Sequence, residues 1–176
     1  TSRGIGPCYE DKAARIGIRM CDLVDDAKFR QRLQAVLPQK NLYIEKMLGG
    51  EALKFDEIFD SYSRFGRDLR KYVCDTVTLL NDAVVVGKNI LFEGAQGTAL
   101  DIDHGTYPYV TSSTTVAGGA ASGSGVGPTV ITGVIGVVKA YATRVGNGPF
   151  PTELSDKTGE WLQKKGGEFG ATTGRP

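Results

Sequence analysis

Apolar side chains in the first half of the chain recur at steps of three and four, the period of a helix with one buried face. Pro7 suits a first helical turn, where its missing N–H costs nothing. A helix is expected from there to about Ile16, broken by Ile16-Gly17-Ile18. Glu10 and Asp11 stand near its start and Lys12 and Arg15 further along, the charge order that the helix dipole favours. Asp25 or Asp26 can cap a second helix, with Phe29, Leu33 and Val36 on one face and Pro38 ending or kinking it. A third would run through Leu42, Ile44, Met47 and Leu48 and stop at Gly49-Gly50. The clearest stripe follows: Phe55, Ile58 or Phe59, Tyr62, Phe65, Leu69 and Tyr72, read as mainly core, with Arg64, Arg67, Asp68 and Lys71 off the stripe.

The pattern then changes. Val77 to Val86 reads as a helix, although Val84-Val85-Val86 leaves strand open. The apolar run Asn89 to Phe92 and the stretch Val137 to Val145 read as strands of one sheet. Thr158 can cap a short helix through Trp161 and Leu162, ending at Gly166-Gly167. A helix, a glycine and a short buried strand form the αβ half of a βαβ unit. The expected fold class is therefore α/β, a helical layer packed on part of a mostly parallel β-sheet. The expected division is a mainly helical part (1–76), an α/β core with a Gly-rich loop (77–136) and a core strand leading into the final region (137–176).

Composition narrows the chemistry. Hydrophobic residues make up 40% and charged residues 23%, a globular balance. The net charge of +1 gives no electrostatic case for nucleic acid or an acidic membrane surface. No apolar run approaches the roughly 18 residues of a spanning helix. Cys8, Cys21 and Cys74 are widely spaced, no CxxC pair exists and His104 is the only histidine, so a Cys/His zinc site is not expected. Reduced thiols fit a cytoplasmic protein. Thr1 is not an initiator Met and both ends read as loop, so a piece of a longer polypeptide is expected.

Glycine, at 24 residues, stands about twofold above the usual ~7 per cent and concentrates after Gly94. One candidate site begins where the Asn89–Phe92 run ends, in the turn Glu93-Gly94-Ala95-Gln96-Gly97, which offers an amide beside accessible backbone. Downstream, Ala117 to Gly127 lacks the Lys-Ser/Thr ending of a Walker A loop, so a phosphate cradle and a structural loop remain equal readings. Asp101-x-Asp103 could place two carboxylates on one face, but without further ligands nearby satisfied polar residues or salt-bridge partners fit better than a metal. Thr111 to Thr115 could donate hydroxyls to an anion, and Arg3, Arg15 and Arg175 could hold a carboxylate or phosphate.

Longer motifs sharpen this. Thr1-Ser2-Arg3-Gly4-Ile5-Gly6-Pro7-Cys8-Tyr9-Glu10-Asp11-Lys12, Phe92-Glu93-Gly94-Ala95-Gln96-Gly97, the run Asp101 to Ser113, Thr143 to Leu154 and Phe169 to Pro176 resemble, in order, the adenylosuccinate synthetase family. The resemblance implies a central fragment of a larger P-loop-like synthetase fold. Its implied activity is GTP-dependent ligation of IMP and L-aspartate, through 6-phosphoryl-IMP, to adenylosuccinate, GDP and phosphate. It implies IMP contacts at Thr1, Arg15, Gln96, Thr111, Val145 and Arg175, with Gln96 on the base, the threonines on the phosphate and Val145 at the ribose. It implies aspartate contacts at Arg3, Ala171, Thr172, Thr173, Gly174 and Arg175. Arg15 would reach the neighbouring subunit's site in a homodimer.

The family's catalytic Asp and His, its Mg²⁺ ligands and its guanine-recognition segment have no counterpart here, so no catalytic or metal residue is assigned, and His104 reads as structural. Pro176 stands where the family carries Arg or Lys. The alternative is a non-catalytic nucleotide-binding or dimerisation module on the same scaffold.

Overall fold

The computed structural model describes residues 3–167. They fall into two compact units: Pro7–Asp75 forms one, and residues 3–6 with 76–167 form the other.

The Pro7–Asp75 unit is helical. It takes in most of α1 (Ile5–Ala13), then α2 (Met20–Leu23), α3 (Asp26–Met47) and α4 (Phe55–Leu69), the last continued by a 3₁₀ turn over Arg70–Tyr72. The Asp25 carboxylate caps α3 by accepting from the Ala27 and Lys28 amides. Phe29, Leu33 and Leu37, one turn apart, form the buried face of α3. They meet Phe59 of α4, with Leu23, Phe55 and Ile58 closing the edges. Phe29 and Phe55 both stack on Phe59, and the Arg30 guanidinium lies 3.9 Å from the Phe59 ring centroid.

Two features depart from the hydrophobic pattern. Helix α3 runs through Pro38 without ending. Proline costs one helical hydrogen bond, and the apolar face that precedes it is anchored on α4. The α4 stripe also divides. Phe59 is buried, whereas Tyr62, Phe65, Leu69 and Tyr72 are exposed, and the buried positions beside Phe59 are Ser63 and Gly66. The reason is the close approach of α2: a Cβ at Gly66 would run into the Leu23 carbonyl. Polar links fasten the periphery. Lys40 pairs with Asp11, Arg67 with Asp26 at 2.8 Å, and the Asn41 amide both donates to and accepts from the Leu53 backbone.

The second unit contains α5 (Thr76–Val85), α6 (Gly118–Ser124) and α7 (Lys157–Gly166), with 3₁₀ turns at Thr98–Leu100 and Pro128–Val130. Helices α5 and α6 meet where Val77 packs over Gly125. Asp156, not Thr158, caps α7, accepting from the Thr158 and Gly159 amides.

The expected mostly parallel sheet is absent: among the described residues no strand is formed. A strand exists through ladder hydrogen bonds to a neighbour, and among the described residues the runs 89–92 and 137–145 form no ladder. Several of their apolar side chains stand in the open, Leu91 at 86% and Val137 at 94% exposure, while Ile90 and Phe92 are half-buried. The architecture of the described residues is helices joined by long, hydrogen-bonded loops.

The helical core gives a direct expectation. Leu33→Ala should lower stability by about 2–4 kcal/mol through cavity formation, while exposed Leu42→Ala should cost under about 0.5 kcal/mol. Urea denaturation of the two variants measures the difference, and equal losses would contradict this core assignment.

Candidate functional site

The turn bearing Gln96 is followed by the 3₁₀ turn Thr98–Leu100, and the chain then doubles back through residues 101–116. Short backbone bonds set the register of this return. The Thr111 amide donates to the Leu100 carbonyl at 2.8 Å, Ile102 to Ser113 at 3.3 Å and Thr106 to Ala99 at 2.9 Å. The Thr115 hydroxyl donates to the Gly97 carbonyl at 3.0 Å, next to Gln96. The segments bearing Gln96 and Thr111 are thus fastened to each other at several points. The Thr111 hydroxyl lies 3.4 Å from that of Ser113 and is half-buried, while Gln96 is exposed.

At the centre is Asp101, whose side chain is closed off from solvent. One carboxylate oxygen accepts from the Asp103 and His104 amides, both at 3.0 Å. The other accepts from Thr115 at 2.6 Å and Val116 at 3.3 Å. Burial pushes the carboxyl pKa upward. The amides of Thr115, His104, Asp103 and Val116 outweigh that and hold it at about 2, against an ordinary 3.8. Gly105 completes the knot, because a Cβ there would sit 2.5 Å from both the Ala99 and Asp101 carbonyl oxygens.

A second tie comes from Arg144. Its Nη2 donates to the Thr106 hydroxyl at 2.9 Å and the Tyr109 carbonyl at 3.0 Å, and its Nε donates to the Asn147 carbonyl at 3.2 Å. This draws the 144–148 loop, with half-exposed Val145, onto residues 106–109. Gly148, at φ +113°, lies where any Cβ would be 2.7 Å from that of Tyr109.

Arg15 belongs to the helical unit. It ends α1 in the left-handed region at φ 64°, with Arg15 donating to the Lys12 carbonyl and Ile16 to that of Asp11. That is the helix-ending motif in which glycine usually takes the left-handed position. Arg15 lines a cavity of about 220 Å³ with Lys12, Gly17, Arg19 and Arg32. The Arg32 side chain is shared with Asp22 at 3.7 Å. Among the described residues only Arg15 and Gln96, at φ 60°, are non-glycine residues with positive φ. Each such conformation costs on the order of 1 kcal/mol, and such strain gathers at functional positions.

Arg3 is described and exposed. Thr1, Ala171, Thr172, Thr173, Gly174, Arg175 and Pro176 lie outside the described residues. Within the Gly-rich stretch, Gly118–Ser124 forms helix α6, and the amides of Thr115 and Val116 just ahead of it are taken by Asp101. Asp101 and Asp103 do not act as a carboxylate pair, since the Asp101 oxygens face backbone amides and Asp103 is exposed. The organising roles of Asp101, Thr115 and Arg144 escaped sequence reasoning. The available signal was an Asp at a turn that accepts its own following amides, and a lone Arg in an apolar run.

The comparisons with known proteins agree across the chain. The model of the family described as adenylosuccinate synthetase matches residues 1–176. The adenylosuccinate synthetase of Syntrophotalea carbinolica is 62% identical over 176 residues, covering 100% of this chain and 41% of the relative. That of Carboxydothermus hydrogenoformans is 60% identical with the same coverage. The structure of fully ligated adenylosuccinate synthetase from Plasmodium falciparum superposes with a TM-score of 0.88 at 41% identity, over 99% of this chain and 40% of that one. The chain thus spans about two-fifths of the length of these relatives.

Because the Asp101 pKa is lowered on folding, its contribution to stability is complete above about pH 3.8 and is lost as pH falls through about 2. Asp101→Asn should therefore be less stable than the parent at pH 6, with a deficit that shrinks towards pH 2. Urea midpoints at both pH values test this; a pH-independent deficit would contradict it.

Proposed function

Because the chain belongs to the adenylosuccinate synthetase family, we propose that it works within a longer polypeptide that ligates IMP and L-aspartate, with GTP converted to GDP and phosphate. The hypoxanthine 6-oxygen is a poor leaving group until phosphorylated. GTP transfers its terminal phosphoryl group to that oxygen, and the aspartate amine then displaces phosphate at the same carbon. The work of such a protein is positioning and charge neutralisation.

The residues of this chain take the positioning part. The Gln96 amide, which donates and accepts at once, reads the lactam edge of the purine. Thr1 and Thr111 hold the IMP phosphate, the Val145 backbone meets the ribose, and Arg175 contacts IMP as well as aspartate. Arg3 with Ala171, Thr172, Thr173, Gly174 and Arg175 receives the aspartate carboxylates. Arg15 reaches the IMP phosphate of the neighbouring subunit in a homodimer. The cationic cavity formed by Lys12, Arg15, Arg19 and Arg32 suits an anion. Mg²⁺, bound with GTP, is expected on ligands that the family carries outside the part matched here. The setting is cytoplasmic, and among the described residues no helix is long and apolar enough to cross a membrane.

The observation that carries this reading is the coincidence of strain and role. Among the described residues, the two non-glycine residues held at positive φ, Arg15 and Gln96, are both placed on IMP. Glycine would relieve the backbone at either position. Gln96→Gly and Arg15→Gly, made in the intact polypeptide, should keep or raise the melting temperature while weakening IMP binding by about tenfold or more. IMP titrations with parallel melting curves test the pair. Unchanged IMP affinity in both variants would remove the assignments.

A further inference from the structure

We propose that Asp101 is a positioning residue for IMP: its buried carboxylate sets the phosphate-end hydroxyl of Thr111 relative to the purine-reading amide of Gln96. This rests on the reading of Gln96 and Thr111 given above and assigns a residue that the reading leaves unused.

The argument is geometric. Asp101 is wholly buried, yet its oxygens are turned towards backbone amides of two separate segments. Asp103 and His104 lie in the turn that follows it, and Thr115 and Val116 lie on the return of the chain. Thr111 falls between those two anchors and is itself tied to Leu100, immediately before Asp101. Thr115, held through its amide by Asp101, holds the Gly97 carbonyl through its hydroxyl, and Gly97 adjoins Gln96. One carboxylate therefore fixes both ends of the proposed IMP contact set. Among the described residues no helix or strand spans 101–116, so this register depends on side-chain acceptors and a few turn bonds.

The residue type matters. An ionised carboxylate is acceptor-only and serves all four amides. Asparagine keeps one acceptor oxygen and replaces the other with an NH₂ donor, which faces two N–H groups it cannot satisfy. The Thr115–Val116 side or the Asp103–His104 side must then move. A shift of this kind misplaces the IMP contacts and leaves residues outside the two segments alone.

The test uses the intact polypeptide, with steady-state kinetics and equilibrium IMP titration. Asp101→Asn should raise KM for IMP by roughly tenfold while KM for GTP stays within about twofold. A merely structural role would lower the amount of active protein, and so apparent kcat, without this selective change. If Asp101→Asn does not fold, Thr115→Val decides. It removes only the hydroxyl tie to Gly97 and should raise KM for IMP about threefold. Gln96→Ala and Thr111→Ala are run beside them. A raised KM for IMP in those two, with none in Asp101→Asn, or in Thr115→Val where that variant decides, overturns the positioning role alone. No change in any variant overturns both that role and the IMP assignment on which it rests.

Discussion

A buried negative charge needs partners, and Asp101 finds them in backbone amides. Removing a carboxylate from water is costly unless every lone-pair direction is met. Here the amides of two loop segments meet them, and the consequence runs outward from that point. The segments cannot separate without exposing or orphaning the charge. Gly105 must stay free of a side chain so that the turn can close on the Asp101 carbonyl. Thr115, pinned by its amide, is free to hold Gly97, which keeps the strained Gln96 turn in place. Arg144 adds the 144–148 loop to the same framework through hydrogen bonds to Thr106 and Tyr109.

The helical unit rests on different physics. Phe29, Leu33, Leu37 and Phe59 form a small apolar core, and the close α2–α4 approach needs Gly66. Around the end of α1 this unit gathers Lys12, Arg15, Arg19 and Arg32 at one cavity. Like charges so arranged repel one another, a repulsion that Asp22, 3.7 Å from Arg32, offsets in part. Arg15 itself stands in the left-handed position of a motif that ordinarily selects glycine.

The helices were legible in the sequence where period and caps agreed, as with Asp25 before Phe29 and Leu33, and the recurring stripe that opens α4. Long motifs such as Asp101 to Ser113 were enough to place the chain in its family. Other features were not local enough to read. A strand is a relation between segments, so the apolar run at Val137 and Val138 predicted a sheet that the described residues do not form. Pro38 was outweighed by the helix packing around it. The division of the α4 stripe followed from where α2 crosses, which no spacing within α4 encodes. Asp101 looked like an ordinary polar residue because its partners at Thr115 and Val116 lie fourteen and fifteen positions away, and Arg15 and Gln96 gave no sign of their positive φ.

Residue-resolved amide hydrogen exchange addresses the Asp101 knot directly. In the parent protein the amides of Asp103, His104, Thr115 and Val116 should all be protected. In Asp101→Asn exchange should accelerate on at least one side of the side chain, at Asp103 and His104 or at Thr115 and Val116, with amides in α3 and α4 unchanged. Protection at all four amides that survives Asp101→Asn would contradict the account, because the two segments would then be held together by something other than this carboxylate.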